Sequence, residues 1–339
     1  MGKSEIKQEV RASQIWPLPK VDLHLHLDTS LRPDTAIELA KPRKVPVKKD
    51  DDLIVPMDCG SLMNYLKRID LALDILQDEE SLFRCAQELA EDLCTDGVIY
   101  AEIRFAPELH TRKGLDERKI VEIIWNGLGK GQYKNLRTRL IICALRHVPL
   151  PHSLKAARLA LDCRDLGVVA LDLAGDENSL NTADFKPAFD LVLAEGLPTI
   201  VHAGEARGPE SIWGALKDLN ATRIGHGVRA LEDNALMKYL KEKQICIETC
   251  PTSNVVTSAV KSFDAHPLKK FLDYGLRVTV NTDARTTVRT TMTDELMLMA
   301  KHQGLSLKQV AQLLINGFES GFDVGPVKKQ ALEYLRGLL

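Results

Sequence analysis

The segment VDLHLHLD (21–28) has the alternation of polar and apolar residues that is typical of a strand. His24, His26 and Asp28 then point to one face, and the leucines between them point to the other, toward covering helices. Two imidazoles two residues apart on one strand can bind the same metal ion. A single His-x-His pair is weak evidence, so the remaining strands decide the interpretation.

Seven further runs resemble strands, and amphipathic helical stretches separate them. These runs are VIYAEIRFAP (98–107), RTRLIICALRH (137–147), VVALDLAG (168–175), PTIVHAG (198–204), TRIGHG (222–227), ICIETCP (245–251) and RVTVNTD (277–283). Eight strands, each followed by at least one helix, predict an α/β fold of the (β/α)₈ barrel type. A doubly wound open sheet is the main alternative, but its Gly-rich phosphate turn after the first strand is missing.

All 339 residues are predicted to form a single barrel domain, because no linker or low-complexity tract divides the chain. Residues 1–19 form an N-terminal extension. The first crossover (29–97) is unusually long and contains predicted helices near 61–76 and 79–94. It leaves the carboxyl end of the first strand, where it serves either as a lid or as plain structural insertion. Three more helices follow from about residue 291.

The composition excludes several classes of protein. A hydrophobic content of 45% excludes a disordered chain, and a net charge of −2 gives no reason to expect nucleic acid or an anionic membrane as a partner. No apolar run reaches the length of a membrane span. The seven cysteines form no C-x-x-C pair, which favours reduced thiols and a cytoplasmic location. The expected partner is a small molecule.

Other predicted strands also end in polar residues. His202 and Glu205 close VHAGE, His226 closes IGHG, and Asp283 lies in VNTDA. The carboxyl ends of barrel strands converge on one mouth, where enzymes of this fold place their chemistry. Each residue alone has an ordinary structural explanation, but together they predict a metal-dependent active site.

The segments HLHLD, LDLAGDE, VHAGE, IGHG, CPTSN and NTD, in this order, resemble the adenosine deaminase family of metal-dependent aminohydrolases. The resemblance extends from about Lys20 to the final helices. It implies a (β/α)₈ barrel that binds one zinc ion per chain. The metal ligands implied by the matching positions are His24, His26, His202 and Asp283.

The resemblance also implies roles for residues around the metal. Glu205 matches the proton donor to the purine N1, and His226 matches the residue that orients the attacking water. Gly175 matches a backbone contact to purine N3, and Asp28 matches the carboxylate that meets the ribose 5′ hydroxyl. Asp283 is expected to take a proton from the water and pass it to the leaving ammonia.

The chemistry of the residues agrees with this resemblance. Deamination of adenine needs a hydroxide at C6, which zinc provides near neutral pH, and an acid that protonates N1. The other deaminase architecture, with H-x-E and P-C-x-x-C zinc ligands, is absent. The expected reaction is hydrolytic deamination of adenosine or 2′-deoxyadenosine to inosine or 2′-deoxyinosine.

Two positions depart from the family pattern. Thr29 follows Asp28 where glycine is usual, and Ala284 replaces a polar residue that binds purine N7. A water molecule, Arg285 or Arg289 could supply the missing contact. The departure leaves open a metal hydrolase of the same fold that acts on another amine, a modified purine or an ester. A weakened binding protein that keeps a structural metal is a third hypothesis, and the oligomeric state stays open.

Four charged or polar residues on the second and third predicted strands have an open role. Glu102, Arg104, Arg146 and His147 either line the barrel mouth or form structural ion pairs.

Overall fold

The computed structural model describes residues 10–57, 59 and 62–339, with side chains in the helix that begins at Leu62 described from residue 68 onward. The first nine residues of the predicted extension 1–19 therefore lie outside the described residues. So do residues 58, 60 and 61 of the predicted crossover 29–97.

Eight parallel strands form the barrel, and a short strand pairs antiparallel with one of them. The strands are β1 (Lys20–His26), β2 (Val98–Phe105), β3 (Gln132–Tyr133, the short strand), β4 (Leu136–Leu145), β5 (Val168–Ala174), β6 (Thr199–Ala203), β7 (Arg223–His226), β8 (Cys246–Thr249) and β9 (Arg277–Val280). Their order in the sheet follows their order in the chain, whereas a doubly wound sheet would reverse direction at a switch point. A parallel bridge between Leu25 and Asp283 joins the last strand region to the first. The prediction of a (β/α)₈ barrel is confirmed.

Helices surround the strands. The α-helices of the described chain are α1 (Ala12–Ile15), α2 (Pro33–Arg43), α3 (Leu62–Ile75), α4 (Glu79–Thr95), α5 (Glu117–Gly127), α6 (Pro151–Asp162), α7 (Lys186–Ala194), α8 (Pro209–Asp218), α9 (Asn234–Lys243), α10 (Pro251–Val256), α11 (Leu268–Tyr274), α12 (Met292–Gln303), α13 (Leu307–Ser320) and α14 (Val327–Arg336). The two helices predicted in the long crossover are α3 and α4, and the three predicted C-terminal helices are α12 to α14. None of the helices in the described ranges combines the length and the apolar character that crossing a bilayer requires.

Helix α4 shows how the sequence forms this outer layer. Its N-cap is Asp78, whose carboxylate accepts a hydrogen bond from the Ser81 amide at 3.1 Å. Apolar residues then recur every three or four positions and are buried against the barrel: Leu82, Cys85, Ala86, Leu89 and Leu93. The outward-facing leucines of the strands pack in the same core.

Charged side chains occupy the interior of the barrel, where branched aliphatic residues are more usual. The guanidinium of Arg104 contacts Asp172 and Glu248, each at 2.8 Å. The guanidinium of Arg223 contacts Glu248 at 2.6 Å and also pairs with Glu102. All five are buried. Of the two roles left open for Glu102 and Arg104, the structure therefore shows ion pairing.

We expect Leu173→Ala to lower the free energy of unfolding by about 2–5 kcal/mol, because Leu173 is fully buried between β5 and the helices. Leu231→Ala is the control, since this leucine is 38% exposed, and its effect should stay within about 0.5 kcal/mol. Urea unfolding of both variants measures the difference. If both variants lost the same free energy of unfolding, the described difference in packing between Leu173 and Leu231 would be wrong.

Candidate active site

Three histidines and one aspartate meet at the carboxyl end of the barrel. His24 and His26 lie on β1, His202 lies on β6, and Asp283 follows β9. The Oδ1 atom of Asp283 lies 3.4 Å from Nε2 of His24 and 3.4 Å from Nε2 of His26. The Nε2 atoms of His26 and His202 are 3.3 Å apart. The structure therefore brings together the four residues that the sequence predicted as metal ligands.

The protonation states in this cluster suit a cation. Burial lowers the pKa of His24 to about 4 and that of His26 well below its usual value, so both rings are neutral near pH 7. Although Asp283 is buried, His24 and the neighbouring histidines hold the pKa of its carboxyl well below its usual range. The buried Nε2 atom of His24 has no hydrogen-bond partner among the described residues. Nitrogen lone pairs and one carboxylate that converge in this way fit a divalent metal ion.

The charged barrel interior orients two of these histidines. Nδ1 of His24 contacts Glu248 at 3.0 Å, and Nδ1 of His202 contacts Asp172 at 3.1 Å. Each contact fixes a proton on Nδ1 and leaves the Nε2 lone pair to face the cluster. Although burial opposes it, Asp172 raises the pKa of His202. Arg104 bridges both acids. Sequence reasoning missed Asp172 and Glu248, and the available signal was a carboxylate in the middle of an apolar strand.

Glu205 and His226 lie beside this cluster. His226 ends β7, and its Nε2 atom is 3.5 Å from Oε2 of Glu205. Burial, together with the negative charge of Asp283, raises the pKa of Glu205. The hydroxyl of Thr257 lies 3.2 Å from Oε1 of Glu205 and 3.0 Å from the carbonyl of Ser253. If this hydroxyl donates to the carbonyl, its oxygen can accept the proton of a neutral Glu205.

The loop that carries Glu205 is held by another buried carboxylate, that of Glu177, in the loop after β5. It accepts hydrogen bonds from four consecutive backbone amides, those of residues 204–207, at 2.6–3.1 Å. It also accepts a hydrogen bond from the hydroxyl of Ser211. Glu177 lies in the segment LDLAGDE, but nothing in the local sequence links it to a loop 27 positions further on, so its role was not predictable.

Two site residues have backbone conformations that are unusual for residues with a side chain. His226 has φ of 62° and Asp283 has φ of 59°, both in the left-handed region. Such residues cost about 1–3 kcal/mol each and persist where the surroundings hold them. Gly175 has φ of 90°, and a Cβ there would lie 2.6 Å from Nδ1 of His147. A side chain at position 175 would therefore collide with the His147 ring at the barrel mouth.

His24, His26, His202 and Asp283 are called the metal-type cluster below. A cavity of about 470 Å³ opens beside this cluster. Asp28, Thr29, Gly175 and His147 contribute to its wall, as do Glu205, His226 and Asp283. Burial raises the pKa of Asp28 to about 7. Part of the wall comes from α3 in the long crossover, through Ile69, Asp70 and Leu73.

Ala284 does not line this cavity in the described part of the chain. It is fully buried in an apolar cluster with Val55, Val256 and Val288. The two arginines that follow it also point elsewhere: Arg285 lies 3.6 Å from Asp96, and Arg289 lies 3.3 Å from Asp51. Neither arginine therefore supplies the contact that Ala284 lacks.

We expect Glu177→Gln to loosen the loop at 204–207. A glutamine presents an NH₂ group to backbone amides that need an acceptor, and hydrogen bonds to a charged group contribute about 1.5–3 kcal/mol. Amide hydrogen exchange in this loop should accelerate about tenfold or more. Glu210→Gln is the matched control, because Glu210 accepts an amide of the same loop but is exposed. Unchanged exchange in Glu177→Gln would contradict this account.

Sequence comparison identifies relatives across nearly the whole chain. The family model "Adenosine deaminase" matches residues 19–336. An adenosine deaminase of Clostridium acetobutylicum is 38% identical over 329 residues, which cover 95% of this chain and 98% of that protein. An adenosine deaminase of Haemophilus ducreyi is 39% identical over 328 residues, covering 93% and 95%.

Solved structures share the same architecture. An adenine deaminase from Arthrobacter aurescens superposes with a TM-score of 0.87 at 26% identity, covering 95% of this chain and 99% of that one. The N6-methyl-AMP deaminase from Arabidopsis thaliana superposes with a TM-score of 0.82 at 27% identity, covering 96% and 98%. The sequence match, its coverage and the barrel agree: the chain belongs to the adenosine deaminase family of hydrolytic deaminases.

Proposed function

We propose that this enzyme hydrolyses adenosine and 2′-deoxyadenosine to the corresponding inosine nucleosides and ammonia. The observation that carries the proposal is a cavity that residues of the metal-type cluster, the carboxyl of Glu205 and the carboxyl of Asp28 all line. Family membership supports the reaction type. Buried thiols such as Cys143 and Cys246 fit a reducing compartment, and we place the enzyme in the cytoplasm.

The proposed cofactor is one zinc ion, held by His24, His26, His202 and Asp283. Three imidazole nitrogens and one carboxylate oxygen are a ligand set that zinc commonly takes. When bound, the ion would supply Lewis acidity and make a water molecule acidic enough to act as a nucleophile near neutral pH.

Two residues transfer protons in this proposal, and a third orients the nucleophile. Glu205, whose pKa is raised by burial and by the charge of Asp283, donates its proton to N1 of the purine, so that C6 accepts the oxygen nucleophile. Asp283 takes one proton of the water and passes it to the departing amine, which leaves as ammonia. The second proton of the water leaves the oxygen as C6 becomes a carbonyl, and it passes to Glu205, which restores the acid. The Nε2 side of His226 faces the same space and holds the nucleophile in line with C6.

The charges of the cavity favour a nucleoside over a nucleotide. The carboxylates of Asp70 and Asp176 line it beside the carboxyl of Asp28, and the Arg112 guanidinium, which also lines it, is already paired with Asp74. A phosphate would meet these carboxylates without an unpaired arginine among the described lining residues. A 5′ hydroxyl can instead hydrogen-bond to Asp28. In this proposal Gly175 contacts the N3 edge of the purine through its backbone.

A second candidate is deamination of another purine, which the alanine at position 284 favours. Purine N7 then receives no side-chain hydrogen bond from this position, and a water molecule must bind it in adenosine. The structural relatives include enzymes named for adenine and for N6-methyl-AMP, which makes these two compounds the informative competitors.

We expect the zinc-loaded enzyme to release ammonia from adenosine and 2′-deoxyadenosine with a kcat/KM at least about 100-fold above that for AMP, N6-methyl-AMP or adenine. A difference of about 2.7 kcal/mol in transition-state binding corresponds to this factor. The ultraviolet change from the adenine to the hypoxanthine chromophore measures turnover of every compound. Ammonia release is a second readout for all of them except N6-methyl-AMP, which releases methylamine. A higher kcat/KM for a nucleotide or for the free base would contradict the proposal and identify that compound as the substrate.

We expect Glu205→Gln to lower kcat by about 10²–10⁴-fold while the protein keeps its metal, because glutamine has the shape of glutamate but cannot donate the proton to N1. Metal content by mass spectrometry and turnover of adenosine are measured on the same sample. Glu210→Gln, an exposed glutamate of the same segment, is the control and should stay near parent turnover. Turnover of Glu205→Gln within a few-fold of the parent would show that another group protonates the ring.

A further inference from the structure

A chain of hydrogen bonds runs behind His226, away from the cavity. The backbone amide of Leu268 donates to Nδ1 of His266 at 3.2 Å. Nε2 of His266 lies 3.2 Å from Oδ1 of Asn254, and Nδ2 of Asn254 lies 3.0 Å from Nδ1 of His226. The three side chains are at most 2% exposed, so water does not compete for these contacts.

Two backbone amides fix the direction of every bond in this chain. The Cys250 amide lies 3.3 Å from Oδ1 of Asn254, and because a backbone N–H can only donate, Oδ1 must be the acceptor. The Leu268 amide likewise makes Nδ1 of His266 an acceptor, so His266 carries its proton on Nε2 and donates to the same oxygen. The NH₂ group of Asn254 therefore faces His226. Nδ1 of His226 accepts, and its proton lies on Nε2.

We propose that Asn254, oriented by His266 and the Cys250 amide, is a positioning residue that holds His226 in the Nε2–H tautomer. This inference rests on the proposed function, in which the Nε2 side of His226 faces the oxygen nucleophile. In that tautomer His226 donates a hydrogen bond to the nucleophile and leaves an oxygen lone pair directed at C6. In the other tautomer Nε2 of His226 would carry a lone pair and accept a hydrogen bond from the nucleophile. The oxygen would then direct its hydrogen toward His226, and its lone pairs would be oriented differently.

The donors and acceptors in this chain of hydrogen bonds stay the same over a wide pH range. Burial lowers the pKa of His266 to about 3. At pH values well above 3, His266 is therefore neutral, with its Nδ1 bound to the Leu268 amide. Its proton remains on Nε2, and the amide of Asn254 keeps one orientation.

The decisive variant is Asn254→Asp, which has nearly the shape of asparagine but can only accept a hydrogen bond from His226. It draws the His226 proton to Nδ1. We expect kcat on adenosine to fall by about 10²–10⁴-fold, with KM changed less and the metal retained; in a catalytic triad, the wrong histidine tautomer costs about 10⁴-fold. ¹⁵N NMR of the zinc-loaded, histidine-labelled protein reports which nitrogen carries the proton, and the spectrum of His226→Gln assigns the signal.

Asn316→Asp is the matched control, because Asn316 is also buried and its NH₂ group also donates, to the carbonyl of Val278 on β9. It should leave the His226 tautomer and kcat unchanged, even if it lowers the melting temperature. Should Asn254→Asp fail to fold, Asn254→Ala removes the donor without adding charge, and we expect two populated tautomers and a loss in kcat of about tenfold.

The inference is overturned if His226 in the parent carries its proton on Nδ1, or if Asn254→Asp moves the proton while turnover stays within threefold. A parent that releases no ammonia from nucleosides would contradict the proposed function alone, because the NMR measurement still decides the tautomer without any turnover.

Discussion

The contact between Arg104 and two buried acids determines how the rest of the site is built. One guanidinium on β2 reaches Asp172 on β5 and Glu248 on β8, and it also donates to the carbonyl of Leu23 on β1 at 2.6 Å. Buried charges are costly unless they are paired and hydrogen-bonded. Here the pairing is complete enough to hold the pKa of both carboxyls well below the usual range. Two buried carboxylates then orient two histidines: Glu248 orients His24, and Asp172 orients His202.

The fold follows from local patterns because each strand and helix has its own period. The alternation in VDLHLHLD and the seven further runs located every barrel strand to within about three residues. The predicted strands ran slightly too far, since Asp28 and Asp283 lie in loops just past β1 and β9. Polar residues at strand ends led to the metal-type cluster for the same reason: parallel strands bring their carboxyl ends together.

The residues that hold the site in place were not predictable in this way. Glu177 bonds to a loop 27 or more positions further along the chain, and Asn254 meets His226 across 28 positions. The first contact joins two loops and the second joins α10 to the end of β7, and no periodicity in the sequence encodes either of them. At Ala284 the sequence identified an unusual residue but not where its side chain lies. The sequence revealed that it departs from the family pattern, but only the structure shows that it packs among valines away from the cavity.

Four imidazoles surround one point in this barrel, those of His24, His26, His202 and His226. Four nitrogen donors would invite the square-planar coordination that Cu²⁺ prefers, and copper is the strongest competitor among the divalent first-row metals. In the tautomer that we propose for His226, with its proton on Nε2, the fourth ring has no lone pair to offer there. The site then presents three nitrogens and a carboxylate. In the proposed arrangement Asn254 would thus bear on which metal the site selects without touching the metal.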